Sequence, residues 1–360
     1  MSRMVVAAMM VVVLLAGSAT AQVPPGYEIV TIDPDPTFNY YPRMNNRTQV
    51  VCGVWLDEGN TDAIEIFLYD NGQITRLTDD NVFDRTPDIN DAGQIVWSRA
   101  VDGAGTPTQI VLWEDGELRE LTFSEQDDRS PRINNLGHVV WKRYMGDGCG
   151  GQRMDIFLYD GEAIRRITTN GETDDLANQS AKINDRDQIV WTEYNFCVYP
   201  WTSRIMLWEN GETTQLNPPD HEWPQTVSMN NHGWVTWSYY GVWLWRDGAP
   251  TLLTDWGTPN AINDRGEIAI GRSYDGDPVP SSEVWLYRNG QFHQITDDPH
   301  DQGWENVWNT ASDINELGEI VFNRARPWYY EAWIKCMKLR LGSPGFGARV
   351  EAIEVKNVDP

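Results

Sequence analysis

Ile89-Asn90-Asp91-Ala92-Gly93-Gln94-Ile95-Val96-Trp97 decides how this chain is read. An Asn-x-x-Gly turn leads directly into a run of β-forming residues, and the phrase returns. Copies stand at Ile133-Asn134-Asn135-Leu136-Gly137, Ile183-Asn184-Asp185-Arg186, Met229-Asn230-Asn231-His232-Gly233, Ile262-Asn263-Asp264-Arg265-Gly266 and Ile314-Asn315-Glu316-Leu317-Gly318. A degenerate first copy is Met44-Asn45-Asn46-Arg47. The signature Asn residues, 45, 90, 134, 184, 230, 263 and 315, are separated by 45, 44, 50, 46, 33 and 52 residues. Self-similarity at this period marks a repeat architecture in which each unit buries its faces against its neighbours.

Between the copies lies a second phrase, Ile66-Phe67-Leu68-Tyr69-Asp70-Asn71-Gly72 followed by Ile74-Thr75-Arg76-Leu77-Thr78. It recurs around Asp115-Gly116, Asp160-Gly161, Asn210-Gly211, Asp247-Gly248 and Asn289-Gly290. Asn-Gly or Asp-Gly between apolar runs signals a two-residue type I′ hairpin, whose central positions both need φ > 0. Each repeat therefore reads as a four-stranded antiparallel meander with two tight turns. The chain reads as an all-β, seven-bladed β-propeller, with six or eight blades the alternatives. The last repeat lacks the final hairpin strand, and Tyr27-Glu28-Ile29-Val30-Thr31-Ile32-Asp33 reads like Gln73 to Asp79. An N-terminal strand is thus expected to complete the last blade and close the ring, rather than Glu351 to Val355.

The order Leu-Thr, acidic loop, Pro, short strand, Gly turn, Ile-Val-Trp, then Ile-Phe-Leu-Tyr-Asp resembles the WD40-like repeats of TolB-type propellers. Leu77 to Trp97 and Leu121 to Trp141 show it best, and the resemblance covers nearly all of Tyr27 to Arg340. It departs where those repeats carry Ser-Pro-Asp-Gly, for which this chain has Asn-Asp-x-Gly. The resemblance implies a fold; the family holds both partner-binding scaffolds and enzymes, so it assigns no activity.

Residues 1–21 read as a secretory signal peptide: Arg3, an apolar run from Met4 to Ala16, and Ala19-Thr20-Ala21 before Gln22. Residues 22–340 are then the propeller and 341–360 a C-terminal tail. Export implies an extracellular or periplasmic setting. The run is too short to span a bilayer, so no membrane insertion is expected. The net charge of −25 grows by one negative unit once Arg3 is removed, and that field opposes nucleic acid and anionic lipid as partners. Of four cysteines, Cys149 and Cys197 fall in comparable loops of neighbouring repeats and form the disulfide candidate. Cys52 and Cys336 read as small buried strand residues.

Catalytic signatures are missing from the sequence. There is no Ser-x-Asp-x-Gly-x-Thr-Trp, Ser273-Tyr274-Asp275-Gly276 being the nearest approach, and no Gly-x-Ser-x-Gly elbow. Five His are too few for a His-rich metal site: His138 reads as solvent-facing, His232 and His293 as turn and strand residues, and only His221 and His300 as loop residues. No cofactor is expected. Asp275 and Asp277 are weak candidates to hold Ca²⁺. Asp79, Asp80, Asp297, Asp298 and Asp301 keep open an alternative, a carbohydrate-active hydrolase or lyase using loop carboxylates. A purely structural surface protein is the third reading.

The tryptophans direct the functional reading. Among the 18 Trp, those such as Trp97, Trp141, Trp191 and Trp237 sit at repeat positions and read as packing between blades. Six fall in connecting segments: Trp201, Trp223, Trp256, Trp304, Trp308 and Trp328. In an up-and-down blade, second-to-third loops and blade-to-blade links share one face. These Trp therefore join Tyr144, Tyr199, Tyr239, Tyr240, Tyr329 and Tyr330 there. The 33-residue spacing shortens the loops of the fifth repeat and predicts a notch above blades five and six, floored by Tyr239, Tyr240 and Trp256. The reading is a binding protein rather than an enzyme, taking a protein or carbohydrate ligand on this aromatic face.

Overall fold

The computed structural model describes residues 27–32, 39–55, 64–80, 82–101, 105–148, 151–168, 176–197, 199–274, 281–297, 308–326 and 331–339. The signal-peptide segment, the tail from 340 and Glu351 to Val355 lie outside them. Every regular element among the described residues is a strand, 28 in all. No helix of the described residues is long and apolar enough to cross a membrane.

The strands fall into seven antiparallel sets of four. First strands are Asn39–Met44, Asp84–Ile89, Asp128–Ile133, Ala177–Ile183, Gln225–Met229, Thr258–Ile262 and Trp308–Ile314. Successive first strands touch one another all the way round, and the seventh touches the first. The last blade takes its fourth strand from the N-terminus: Tyr27–Thr31 pairs antiparallel with Glu331–Leu339, Tyr27 opposite Leu339 and Thr31 opposite Lys335. No sheet edge is left open at the seam.

Seven apolar clusters hold the ring, one at each blade interface. Val51 and Ile66 of blade one meet Ile89, Ile95, Trp97 and Val111 of blade two. At the seam, Met44, Val50, Cys52 and Val54 meet Val321 and Cys336. Second strands are buried on both sides, as in Ile95–Ala100, and so read as continuous apolar runs. The fourth strands Glu117–Glu120, Ile164–Arg166 and Glu212–Gln215 are exposed throughout. Trp97, Trp141, Trp191 and Trp237 are fully buried, and truncating one to Ala would cost about 3–5 kcal/mol.

The repeat Asn does more than turn the chain. Its side-chain oxygen accepts the backbone N–H two and four residues on, as Asn184 Oδ1 does from Arg186 (3.0 Å) and Gln188 (3.0 Å). Its Nδ2 donates to the carbonyl of the next blade's Asn. The chain of bonds runs Asn45 to Asn90, Asn134, Asn184, Asn230, Asn263 and Asn315 at 2.9–3.0 Å, and closes on Asn45 at 3.4 Å. A second closed ring lies one residue on. Each N–H of Asn46, Asp91, Asn135, Asp185, Asn231, Asp264 and Glu316 donates to the side chain of the next member at 2.6–2.8 Å. This is why Asn-Asp replaces Ser-Pro at the turn: Pro has no N–H for the second ring.

Five hairpins are type I′, as in Asn71 (φ 48°) and Gly72 (φ 85°). The sixth departs from expectation. At Asp160-Gly161 only Gly161 has positive φ: the turn falls on Gly161-Glu162, Asp160 N–H donates to the Ala163 carbonyl (3.2 Å), and Tyr159 faces Ile164 as Tyr69 faces Ile74. Asp160 instead caps that loop, accepting from the N–H of Glu162 (3.1 Å) and Ala163 (2.8 Å). The Leu-Thr phrase also has a physical role. Thr78, Thr122, Thr168 and Thr296 hydroxyls accept the N–H of Ile66, Ile110, Ile156 and Val284 at 2.9–3.0 Å, locking the outer hairpin.

Candidate functional site

Loop aromatics of blades four and five gather into two clusters, one around Phe196 and Trp223 and one around Tyr239. Leaving the second strand of blade four, Tyr194 stacks on Phe196 (5.6 Å between ring centres), and both rings meet Trp223 of the link to blade five (5.4 and 6.0 Å). Phe196 also meets Trp201 (6.0 Å), which meets Tyr199 (6.4 Å). Two residues before Trp223, His221 lies on Tyr239 (4.3 Å), and Tyr239 packs against Tyr240 (4.9 Å). The rims are open: Tyr199 and Tyr240 are each 86% exposed and Trp201 55%. Apolar rings this exposed gain nothing from folding and suit a surface that a ligand covers.

The short loop of blade five is held tightly. Tyr239 N–H bonds the Gly241 carbonyl (3.0 Å), and Trp243 Nε1 donates to the Tyr239 carbonyl (2.9 Å). Gly241 has φ 134°, and a Cβ there would lie 2.1 Å from the Thr254 carbonyl oxygen. Tyr240 is thereby presented outward on a rigid turn. Beneath it His221 is buried, with Nδ1 lacking any partner. Burial pushes its imidazole below the ordinary range, against the pull of Asp220, so the ring is neutral at pH 7. It is therefore part of the aromatic packing rather than a loop group open to a metal.

The other sequence candidates land differently. Trp256 is half-buried between blades five and six, against Trp285 (5.1 Å) and Phe292 (5.2 Å), with the Arg272 guanidinium 4.4 Å over its ring. It is interface packing, so the open patch centres on blades four and five. Trp308 begins the first strand of blade seven, opposite Ala325, and is not a loop residue. Tyr144 lies within the long hairpin strand Val139–Gly148. His138 is mostly buried, with Nδ1 2.7 Å from Asp187 Oδ1 of the next blade, rather than facing solvent. Trp304, Trp328, Tyr329, Tyr330, Asp275, Asp277, Asp298, His300, Asp301 and Cys149 lie outside the described residues. Cys197 is disulfide-bonded, while Cys52 and Cys336 are buried in the seam cluster.

One acidic cluster could be taken for a metal site. Oxygens of Glu65, Asp80 and Asp84 lie within 4.8 Å of one another. Arg76 reaches Glu65 (3.4 Å), and Arg99 reaches both Asp84 (3.0 Å) and Asp80. The guanidiniums already supply the positive charge. Asp84 also accepts from Trp97 Nε1 (2.8 Å). Burial still pushes its carboxyl up to about 7, against the pull of Arg99 and Trp97.

The central channel was missed from sequence. A cavity of about 130 Å³ on the ring axis is lined by first-strand residues of all seven blades, among them Arg43, Asp88, Arg132, Lys182, Asn260 and Asp313. Every first strand carries a one-residue bulge. In blades one to five its left-handed residue is Tyr41, Thr86, Ser130, Ser180 or Thr226, at φ 45–59°. Bulges re-aim side chains, and here they turn the residue two before each signature Asn into the lumen. A charged residue at that offset was the available signal: Arg43, Asp88, Arg132, Lys182 and Asp313 all share it.

No known protein family matches the chain by sequence, and no curated protein does. Solved structures do. The β-propeller domain of the Trilobed protease from Pyrococcus furiosus has a TM-score of 0.59 at 13% identity, over 84% of this chain and 94% of that one. Acylaminoacyl peptidase from Pyrococcus horikoshii has a TM-score of 0.59 at 14% identity, over 80% of this chain, which spans 49% of that one. Virginiamycin B lyase from Staphylococcus aureus, solved with quinupristin, has a TM-score of 0.54 at 11% identity, over 87% of this chain and 99% of that one. At such identities the likeness shows the fold, a β-propeller, and no activity.

Proposed function

We propose that this is an exported binding protein of the TolB-type repeat class, using the aromatic patch of blades four and five to hold a protein or carbohydrate ligand. Its setting is extracellular or periplasmic, and a Cys149–Cys197 disulfide steadies the patch. The observation that carries the reading is a pair of ring clusters, Tyr199–Trp201–Phe196–Trp223 and His221–Tyr239–Tyr240, brought close by the two-residue step from His221 to Trp223 and each ending in a ring open to solvent. Rigid aromatics lose little entropy on binding and bury a large area, which favours stacking on sugar rings or anchoring a protein surface. The described loop carboxylates Asp79 and Asp80 are held by Arg76 and Arg99, an arrangement that favours binding over acid–base chemistry.

The test is a glycan array and a pull-down screen with the mature protein, repeated with a Trp201→Ala, Tyr240→Ala double variant. At least one glycan class or partner is expected to bind the wild type and to lose about tenfold or more in affinity with the variant. Binding of every ligand found at unchanged affinity by the double variant would overturn the assignment.

A further inference from the structure

The chain is strongly acidic, yet its central channel is lined by three cations against only two carboxylates. Around the axial cavity stand Arg43, Arg132 and Lys182, with Asp88 and Asp313. Both carboxylates are partly engaged by backbone. Asp88 Oδ2 accepts from Ile133 N–H (2.9 Å), and Asp313 Oδ2 from Met44 N–H (3.1 Å). The cations are not so occupied. Lys182 makes no hydrogen bond or close ion pair among the described residues. Arg132 donates from Nη1 to the Pro131 carbonyl (2.8 Å) and Arg43 from Nη1 to the Ser312 carbonyl (2.5 Å), but the Nε of each is buried without a partner. Orphaned donors on buried cations are costly, and their convergence on one cavity is the mark of a site for an acceptor.

Further cations lie beyond the cavity toward the loop face, where Arg85 donates to the Gly105 carbonyl and lies over the Phe83 ring. Each first strand runs from the blade-to-blade link toward the Asn turn, so Arg85 and Arg129, earlier in their strands, lie nearer the loop face than Arg132. Lys142 pairs in register with Arg129, and the Nε of Arg85 and of Arg129 are also buried without partners. Asp127 pairs with Arg129. At the cavity itself Arg43, Arg132 and Lys182 stand against Asp88 and Asp313. The opposite mouth carries the other sign: a cavity of about 160 Å³ there is framed by the Asn rings, with Asp91, Asp185 and Glu316. A field of this polarity draws an anion in from the loop face and stops it short of the turn face.

We infer that the channel is a binding site for one compact oxyanion, free phosphate or the phosphate of a small ester, held by Lys182, Arg132 and Arg43. An oxyanion offers several acceptor oxygens within the span of one small cavity, matching one ammonium and two guanidinium forks. The protonation of the lining agrees. Burial, then Arg132 and Arg43, hold the Lys182 amine well below its ordinary range, and burial with Arg43 lowers Arg132 to about 10, each against the opposing pull of Asp88 and Asp313. A bound anion relieves both effects. This site is separate from the aromatic patch and does not depend on it.

Two measurements on the full chain test it. Calorimetric titration with inorganic phosphate, ionic strength held constant with chloride, is expected to show saturable one-to-one binding that Lys182→Met weakens at least tenfold. Limited acetylation read by peptide mass spectrometry is expected to modify Lys182 in the wild type and to be slowed several-fold by phosphate. Adding a small phosphate monoester in place of phosphate separates the two sources: tighter binding of the ester assigns the site to an organic phosphate, equal binding to phosphate itself. Failure of phosphate and ester alike to give saturable heat at 50-fold the protein concentration and above, or Lys182 acetylation unaffected by either, overturns the proposal. The labelling needs no variant, so it decides the matter even where Lys182→Met fails to fold.

Discussion

The two faces of this ring are built on opposite principles. On the turn face, seven copies of one turn interlock through two closed rings of hydrogen bonds, and each residue's partners lie one repeat away. On the loop face the connections differ in every blade. Blade five crosses from second to third strand at Tyr239 and Tyr240, whereas blade four spans Phe196 to Trp201 between the same strands. Among the described residues the turn rings and the seven apolar interfaces run right round the ring, whereas loop-face links between blades are local, as at Met154 and Ala177. The exposed rings of the loop face are tolerated there at little cost to folding.

That contrast can be broken or sharpened by measurement. The largest effect belongs to Asp84, at the loop-face end of the first strand of blade two. Its carboxyl is near 3.8 in the unfolded chain and about 7 when folded, so the folded state holds the proton more tightly. The stabilisation this confers is complete below the unfolded value and is lost as pH rises through 7. Against Asp84→Asn, the wild type should therefore lose roughly 3–4 kcal/mol of relative stability between pH 4 and pH 8, read from denaturant unfolding at each pH. A pH-independent difference would remove this loop-end dependence.

Next comes the turn face itself. Asn184→Ala deletes four hydrogen bonds, to Asn230 O, Gln188 Oε1 and the N–H of Arg186 and Gln188. It leaves buried partners unsatisfied and should cost about 3 kcal/mol at every pH. A loss below about 1 kcal/mol would mean the rings follow closure rather than enforce it. The smallest effect is expected on the loop face: Tyr240→Ser should change the unfolding free energy by no more than about 0.5 kcal/mol. A larger loss would show that the exposed patch is structural after all.

How much was legible follows the range of each interaction. The type I′ hairpins could be read because Asn-Gly and Asp-Gly tolerate the required φ locally, as Asn71-Gly72 does. The exception, Asp160-Gly161, looks the same in sequence, but the register puts Asp160 at the place of Asp70, so the turn falls on Gly161-Glu162 and only the Gly takes positive φ. Trp308 read as a loop residue because the long link before it hid where its strand begins. Trp256 read as an open platform because nothing near it in sequence announces Trp285 and Phe292. The exposed rings Tyr199, Trp201 and Tyr240 belong to the loops of blades four and five, whereas Trp256 packs between blades five and six.

By itself the sequence determined the repeat, its seven copies, five of the six outer hairpin turns and the N-terminal strand that closes the ring. Each of these rests on residues adjacent in the chain or on periodicity, and each is decided by local backbone chemistry. Only the tertiary structure decided that the signature Asn side chains join into rings, that Trp256 packs inward while Tyr199 and Tyr240 stay open, and that the lumen is cationic. Arg43, Arg132 and Lys182 are far apart in the chain and each looks like an ordinary strand residue. The bulge before every signature Asn turns them to the axis, and sevenfold closure makes neighbours of them.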